Sequence, residues 1–336
     1  MEHSAIIAGL LDEVRKEEID FLLLKEALNH FKALLVRLTE IDLMEAKNRQ
    51  DLHFDNGMAL NTSFAILCID DIMRTRQFLR GIDQAIEAVY QQKEGPVKIL
   101  YAGTGPFATL VLPFITQYTA AELQLILVDT NPTTLAYLKT LVKELSIGDY
   151  IEQILCVDAS KHQFKEELDI DILISETMQQ GLVKEQQVPI LFNLVQQLPR
   201  EVIIIPHKIQ LDLALMSSSF HFFLEEDPSL KYQKLKHLLD FDQSFIRSYI
   251  AANPSWEEKL QFDLCNQVFF GERADHDKLV ILTFIQVFEE EYINYDLSSL
   301  TIPKVLIDFE ELEVEEKEIS ISYVVKEIPD FEFELN

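Results

Sequence analysis

Glycine is scarce in this chain, with 9 in 336 residues, about 2.7% against an average near 7%. Collagen-like repeats and Gly/Ser linkers are excluded at once. Cysteine is almost absent too. Cys68, Cys156 and Cys265 lie far apart with no CxxC pair, so neither a disulfide framework nor a Cys-rich zinc site is expected. Basic residues are in deficit, 29 Lys+Arg against 57 Asp+Glu for a net charge of −28. Such a field argues against a groove for nucleic-acid phosphates and suits cationic partners. No apolar run approaches the roughly 20 residues needed to span a bilayer. The amino terminus lacks a basic n-region and reaches Asp12 and Glu13 too soon for a secretory signal. A soluble, cytoplasmic protein without a metal site is expected. What the chain does have is apolar side chain, 48% of its residues. It can therefore bury a core, as a disordered acidic chain cannot.

Periodicity divides the chain into three. Over residues 1–95 the pattern is helical. Phe21, Leu24, Leu28, Phe31, Leu35 and Leu38 recur at spacings of three and four in one long helix expected from about Ser4 to Ala46. A second helix is expected from Met58 to Gln92, ending at Gly95-Pro96. Over 96–206, short apolar strands near Val97–Tyr101, Leu123–Asp129, Ile151–Asp158, Ile170–Ser175 and Glu201–Ile205 alternate with helical stretches. That alternation predicts an α/β fold, a Rossmann-like doubly wound sheet with its ligand at the carboxyl ends of the strands. Over 207–336, period-two patterns in Lys208–Leu215, Lys278–Phe288 and Glu318–Val325 predict antiparallel strands, with a helical insert over about 228–256. The acidic stretch Glu289–Glu334 interleaves apolar residues and reads as solvated strand faces.

Three groups of residues could carry chemistry. Tyr101-Ala102-Gly103-Thr104-Gly105-Pro106-Phe107 follows the first strand and is expected to open a helix, so Gly103 and Gly105 could let a ligand approach the backbone. Asp129 ends the second strand, 24 residues after Gly105, where a carboxylate can accept hydrogen bonds from both hydroxyls of a ribose. NAD enzymes and S-adenosylmethionine enzymes share that device. Val157 and Asp158 end the third strand. The fourth delivers Glu176, and a loop containing Gly181 returns Glu185 nine residues on, so that two carboxylates could clamp one cationic group.

Here a resemblance becomes specific. Ser175-Glu176-Thr177-Met178, with Leu182 and Glu185 following, resembles the double-glutamate loop of protein arginine methyltransferases. Asp71-Ile72-Met73-Arg74-Thr75 is similar to that family's D-x-x-R-T, and Val202–Pro206 to the strand that leads into its β-barrel. The likeness covers roughly residues 60–290. It implies a class I S-adenosylmethionine-dependent methyltransferase with a C-terminal β-barrel-like domain and S-adenosyl-L-methionine as cofactor. The cofactor's carboxylate would sit on Arg74, its methionine part at Gly103 and Gly105 beside Tyr101, its ribose on Asp129 and its adenine beside Val157 and Asp158. Glu176 and Glu185 would be catalytic, holding arginine in a basic protein or peptide. The resemblance further implies a homodimer formed through an arm, for which the insert at 228–256 is the candidate. The acidic charge and the lack of a long apolar run leave neither a nucleic acid nor a membrane expected as partner.

The departures bear on arginine specificity more than on the cofactor. Tyr101 stands where the family has an acid and Phe107 where it has a third glycine. The aromatic motif of the family's first helix is missing, and Asp275-His276-Asp277-Lys278 takes the place of its Thr-His-Trp loop. Methylation of a small basic metabolite or peptide natural product, and a catalytically silent binding protein, remain alternatives.

Overall fold

A computed structural model describes residues 2–166, 168–218, 231–270, 276–309 and 317–335. The amino-terminal pattern folds into two helices rather than one, α1 (Glu2–Arg15) and α2 (Phe21–Thr39). Asp20 causes the break, its carboxylate accepting the N–H groups of Leu22 and Leu23 at 3.0 and 3.1 Å and so starting a new helix. Leu24, Leu28, Phe31 and Leu35 are buried, whereas Phe21 at the helix start is 55% exposed. The second expected helix is also divided. A hairpin of β1 (Leu52–Phe54) and β2 (Gly57–Ala59) precedes α3 (Thr62–Leu67) and α4 (Ile72–Tyr90). Asn61 and Asp71 cap these helices through their side chains.

The central part is the doubly wound sheet. Strands β3 (Val97–Ala102), β4 (Leu123–Asp129), β5 (Ile151–Cys156), β6 (Ile172–Ser175) and β7 (Ile203–Ile205) are all parallel, in the order β5-β4-β3-β6-β7. The longer helices α5 (Pro132–Glu144) and α6 (Gln187–Val195) belong to this region. Register does the positioning. Ala102 lies opposite Val128 on one side and Ser175 on the other, so Gly103, Asp129 and Glu176 leave the sheet at one level. β3 and β6 lie where the winding reverses, the place at which such sheets bind ligands.

The carboxyl-terminal part consists of β8 (Lys208–Met216), β9 (Tyr232–Asp242), α7 (Gln243–Ala252), β10 (Gln261–Phe270), β11 (Lys278–Phe288), β12 (Glu291–Ile293), β13 (Lys304–Asp308), β14 (Lys317–Val324) and β15 (Asp330–Leu335). These strands form two antiparallel sheets, β12-β11-β8-β9 with β13 also on β11, and β10-β14-β15. The barrel is not closed: among the described residues no strand pairing joins the two sheets. Rings bridge them instead, Phe192 of α6 stacking on Phe241 of β9 at 6.4 Å and on Phe262 of β10 at 5.7 Å.

The expected helical insert is corrected. Residues 228–230 lie outside the described residues, and 232–242 form β9, which pairs along most of β8. Among the described residues of that span only Gln243–Ala252 is α-helical, starting where Asp242 accepts the N–H of Phe245 at 2.8 Å. This helix packs on its own chain rather than projecting as an arm, with Ile246 fully buried and Tyr249 donating its hydroxyl to Gln261 O at 2.7 Å. One hydrophobic core runs through all three parts.

Candidate functional site

A cavity of about 230 Å³ opens at the carboxyl edge of the parallel sheet. Arg74, Tyr101, Gly103, Gly105, Asp129, Val157, Glu176 and Glu185 all line it, so eight of the nine residues singled out in the sequence converge. Asp158 does not. Its carboxylate turns into its own loop, accepting Ser160 N at 2.9 Å and Ser160 Oγ at 2.6 Å, and Ala159 takes its place in the wall.

The glycine turn differs from expectation in two ways. No α-helix follows it: Ala108 has a positive φ, and Pro113, lacking an N–H, is the second residue of a short 3₁₀ segment over Leu112–Thr116. The close approach at Gly103 is made by the protein itself. A Cβ there would lie 2.2 Å from Thr177 Cγ2, at a backbone φ of +82°. Gly105 also has a positive φ, and its N–H donates to Asp129 Oδ2 at 3.0 Å. The other oxygen of Asp129 accepts the N–H of Asn131 at 2.8 Å. Burial pushes the Asp129 carboxyl up to about 6, against these bonds. Tyr101, 4% exposed at the end of β3, has its hydroxyl pKa raised by burial.

Charge is concentrated opposite the turn. Arg74 sits in the first turn of α4, its N–H held by Asp71 at 3.1 Å. Its guanidinium pairs with Glu176, while the neighbouring Asp70 pairs with Lys32. Burial opposes the charge on Arg74, but the surrounding groups, Glu176 foremost with Cys68 and Glu185, together raise its pKa. Burial raises the Glu176 carboxyl, with Arg74 opposing. Glu185 is 7% exposed, and burial followed by the nearby Glu176 charge pushes it up to about 8. Glu176 Oε1 and Glu185 Oε1 are both buried without a hydrogen-bond partner. With both carboxylates ionised the trio carries one net negative charge, and two acceptor atoms are open to a cation.

The loop carrying these carboxylates is held from outside the sheet. Gly181, at φ +67°, makes the expected bend and donates its N–H to Thr283 Oγ1 of β11 at 2.8 Å. Tyr323 of β14 donates its hydroxyl to Leu182 O at 2.6 Å, and Lys184 N donates to Pro329 O at 2.8 Å. On the opposite side Met58 of the hairpin donates its N–H to Lys184 O at 2.9 Å. Sequence reasoning missed Met58, Ser299 and Leu300, which also line the cavity. The Asn56-Gly57 pair after Phe54 was the available hairpin signal; nothing local marks Ser299. Asp71 holds that distant turn, accepting Ser299 N and Ser298 Oγ at 2.7 and 2.8 Å.

No protein-family model matches the chain, and no curated protein matches it. Among solved structures the chain is similar to one described as the Trypanosoma brucei PRMT1 enzyme-prozyme heterotetrameric complex with AdoHcy. That likeness has 14% identity and a TM-score of 0.46, covering 81% of this chain and 97% of that one. Among the described residues no helix is long and apolar enough to cross a membrane.

Proposed function

We propose that this chain is an S-adenosylmethionine-dependent methyltransferase acting on a cationic nitrogen, with arginine in a basic protein or peptide as the acceptor. The observation that carries the reading is the pair Glu176 and Glu185, buried in one cavity with an open acceptor oxygen each, at the sheet edge that also holds Gly103, Gly105 and Asp129. The donor set fits the cofactor. Arg74 supplies a guanidinium for its carboxylate, Asp129 retains lone pairs for ribose hydroxyls beyond those used by Gly105 and Asn131, and Val157 with Ala159 forms an apolar border for adenine. When bound, the cofactor supplies an electrophilic sulfonium methyl group.

The residues of this chain would bind and orient the acceptor. Glu176 and Glu185 would fix a guanidinium by charge-assisted hydrogen bonds and draw its positive charge away from the attacking nitrogen, an effect of orientation and preorganised electrostatics. With the acceptor so held, S-adenosylmethionine would supply its methyl group to the nitrogen and be left as S-adenosylhomocysteine, and the nitrogen's proton would pass to solvent. Burial of both carboxylates strengthens their hold on a cation. The cytoplasmic location and a homodimer belong to the same reading; α7 is not the arm that would build the dimer.

Two measurements test the proposal. Calorimetric titration with S-adenosylhomocysteine is expected to show binding, and labelled S-adenosylmethionine with cell lysate is expected to place the label on arginine side chains, read by mass spectrometry. Absence of binding at millimolar S-adenosylhomocysteine overturns the cofactor; transfer to small amines but never to arginyl peptides overturns the acceptor.

A further inference from the structure

Gln187 is fully buried in the first turn of α6, and all of its polar contacts converge on the residues that flank Glu176. Its Oε1 accepts the N–H of Thr177 at 3.0 Å, the Thr177 hydroxyl at 2.9 Å and the Ser175 hydroxyl at 3.1 Å. Its Nε2 donates to Ser175 O at 2.8 Å. An apolar residue would fill this helix position against the same core, and the amide is tolerated there because every polar atom is satisfied. What the amide adds is direction. It joins the end of β6 to a helix that begins two residues after Glu185.

We propose that Gln187 is a positioning residue that fixes Glu176 relative to Glu185 and, through Thr177, ties both carboxylates to the glycine turn. The loop between the two glutamates is anchored at its middle by Thr283, Tyr323 and Pro329, but none of those contacts reaches Ser175 or Thr177. Gln187 closes that remaining freedom. Thr177 is the second half of the device, because its Cγ2 occupies the space that a side chain at Gly103 would fill. Residue 187 thus links the wall proposed for the cofactor to the carboxylates proposed for the acceptor.

The proposal rests on the methyltransferase reading for its kinetic consequence, but its geometric claim can be measured without activity. Gln187→Met keeps side-chain volume and removes the amide; Thr177→Val keeps the packing on Gly103 and removes one of the three bonds to Oε1. Crystal structures of both variants are expected to show the Glu176 carboxylate displaced from its contact with Arg74, more in Q187M than in T177V. With a methyl acceptor in hand, kcat is expected to fall by about 10–100-fold in Q187M, the scale of a misplacement near 1 Å. A structural role alone would lower thermal stability and leave kcat per folded molecule unchanged. Glu176 remaining on Arg74 in both variants overturns the proposal. Wild type that binds no S-adenosylhomocysteine overturns the methyltransferase reading instead, and the displacement of Glu176 still decides the role of Gln187.

Discussion

The two walls of the cavity are built by different means. The wall of Gly103, Gly105 and Asp129 is made by adjacent parallel strands: register sets the height of each residue, and the turn is closed by Asp129 holding Gly105 N. The wall of Glu176 and Glu185 begins on a strand too, but residues 177–185 are held by Gln187, Thr283, Tyr323, Pro329 and Met58, which come from four other parts of the chain. Local backbone geometry defines the first wall, and long-range hydrogen bonds define the second. A site assembled this way can vary what it accepts without altering what binds at the sheet edge.

The sharpest way to break the comparison is Glu185→Gln. If the walls are separable, turnover should drop by about 10²–10³-fold, the scale of removing one preorganised electrostatic partner, with S-adenosylhomocysteine affinity unchanged. Calorimetry and initial rates on the same preparation read both, and an equal loss in cofactor affinity would show that the walls act as one.

Next in size is Gly103→Ala, which strikes the point where the walls touch. The clash with Thr177 and the positive φ should together destabilise the fold by about 1–3 kcal/mol in denaturant unfolding. Adding Thr177→Ala should restore the part due to contact and leave the backbone strain. Gly9→Ala, with nothing within 4 Å in the middle of α1, should instead stabilise by up to about 1 kcal/mol.

A pH dependence is expected as well, and comparing the protein with Glu185→Gln isolates the part that belongs to the second wall. Burial raises Glu185 from an ordinary value near 4.5 to about 8. The folded state therefore holds that proton more tightly than the unfolded chain. Stability from this group is fully present below about 4.5 and declines as pH rises, until it is lost once pH passes about 8. The melting temperature of the ligand-free protein should accordingly fall relative to Glu185→Gln between pH 5 and 8.5, where the pH values are set by the window of about 4.5 to 8. Asp129, raised to about 6 for the same reason, is common to both proteins and cancels. Parallel melting curves across that range would disprove the burial of a protonated Glu185.

Much of this molecule was legible in its sequence, and unevenly so. The strands β3, β4 and β11 fall within a residue of where the apolar patterns put them, because each is a short apolar run buried for most of its length. The helix boundaries were not legible in the same way: Asp20, Asn61 and Asp71 each cut an apolar stripe that reads as continuous when periodicity alone is followed. The sequence of β9 reads as helix because its pattern is equivocal until β8 is there to pair with it. Asp158 was placed in the cavity by its position at a strand end, yet its side chain found Ser160 two residues away, a local bond that competes with any ligand.

By itself the sequence determined the doubly wound sheet, the glycine turn, and the two glutamates nine residues apart, since these depend on spacing along one or two neighbouring elements. Only the tertiary structure decided that Arg74 pairs with Glu176 rather than with Asp70, that Thr177 fills the space above Gly103, and that Gln187 and Tyr323 hold the loop. Those contacts join residues up to 141 apart in the chain. No local pattern encodes them, because a hydrogen bond between distant residues is chosen only after the core has packed and the unpaired polar groups that remain must find partners.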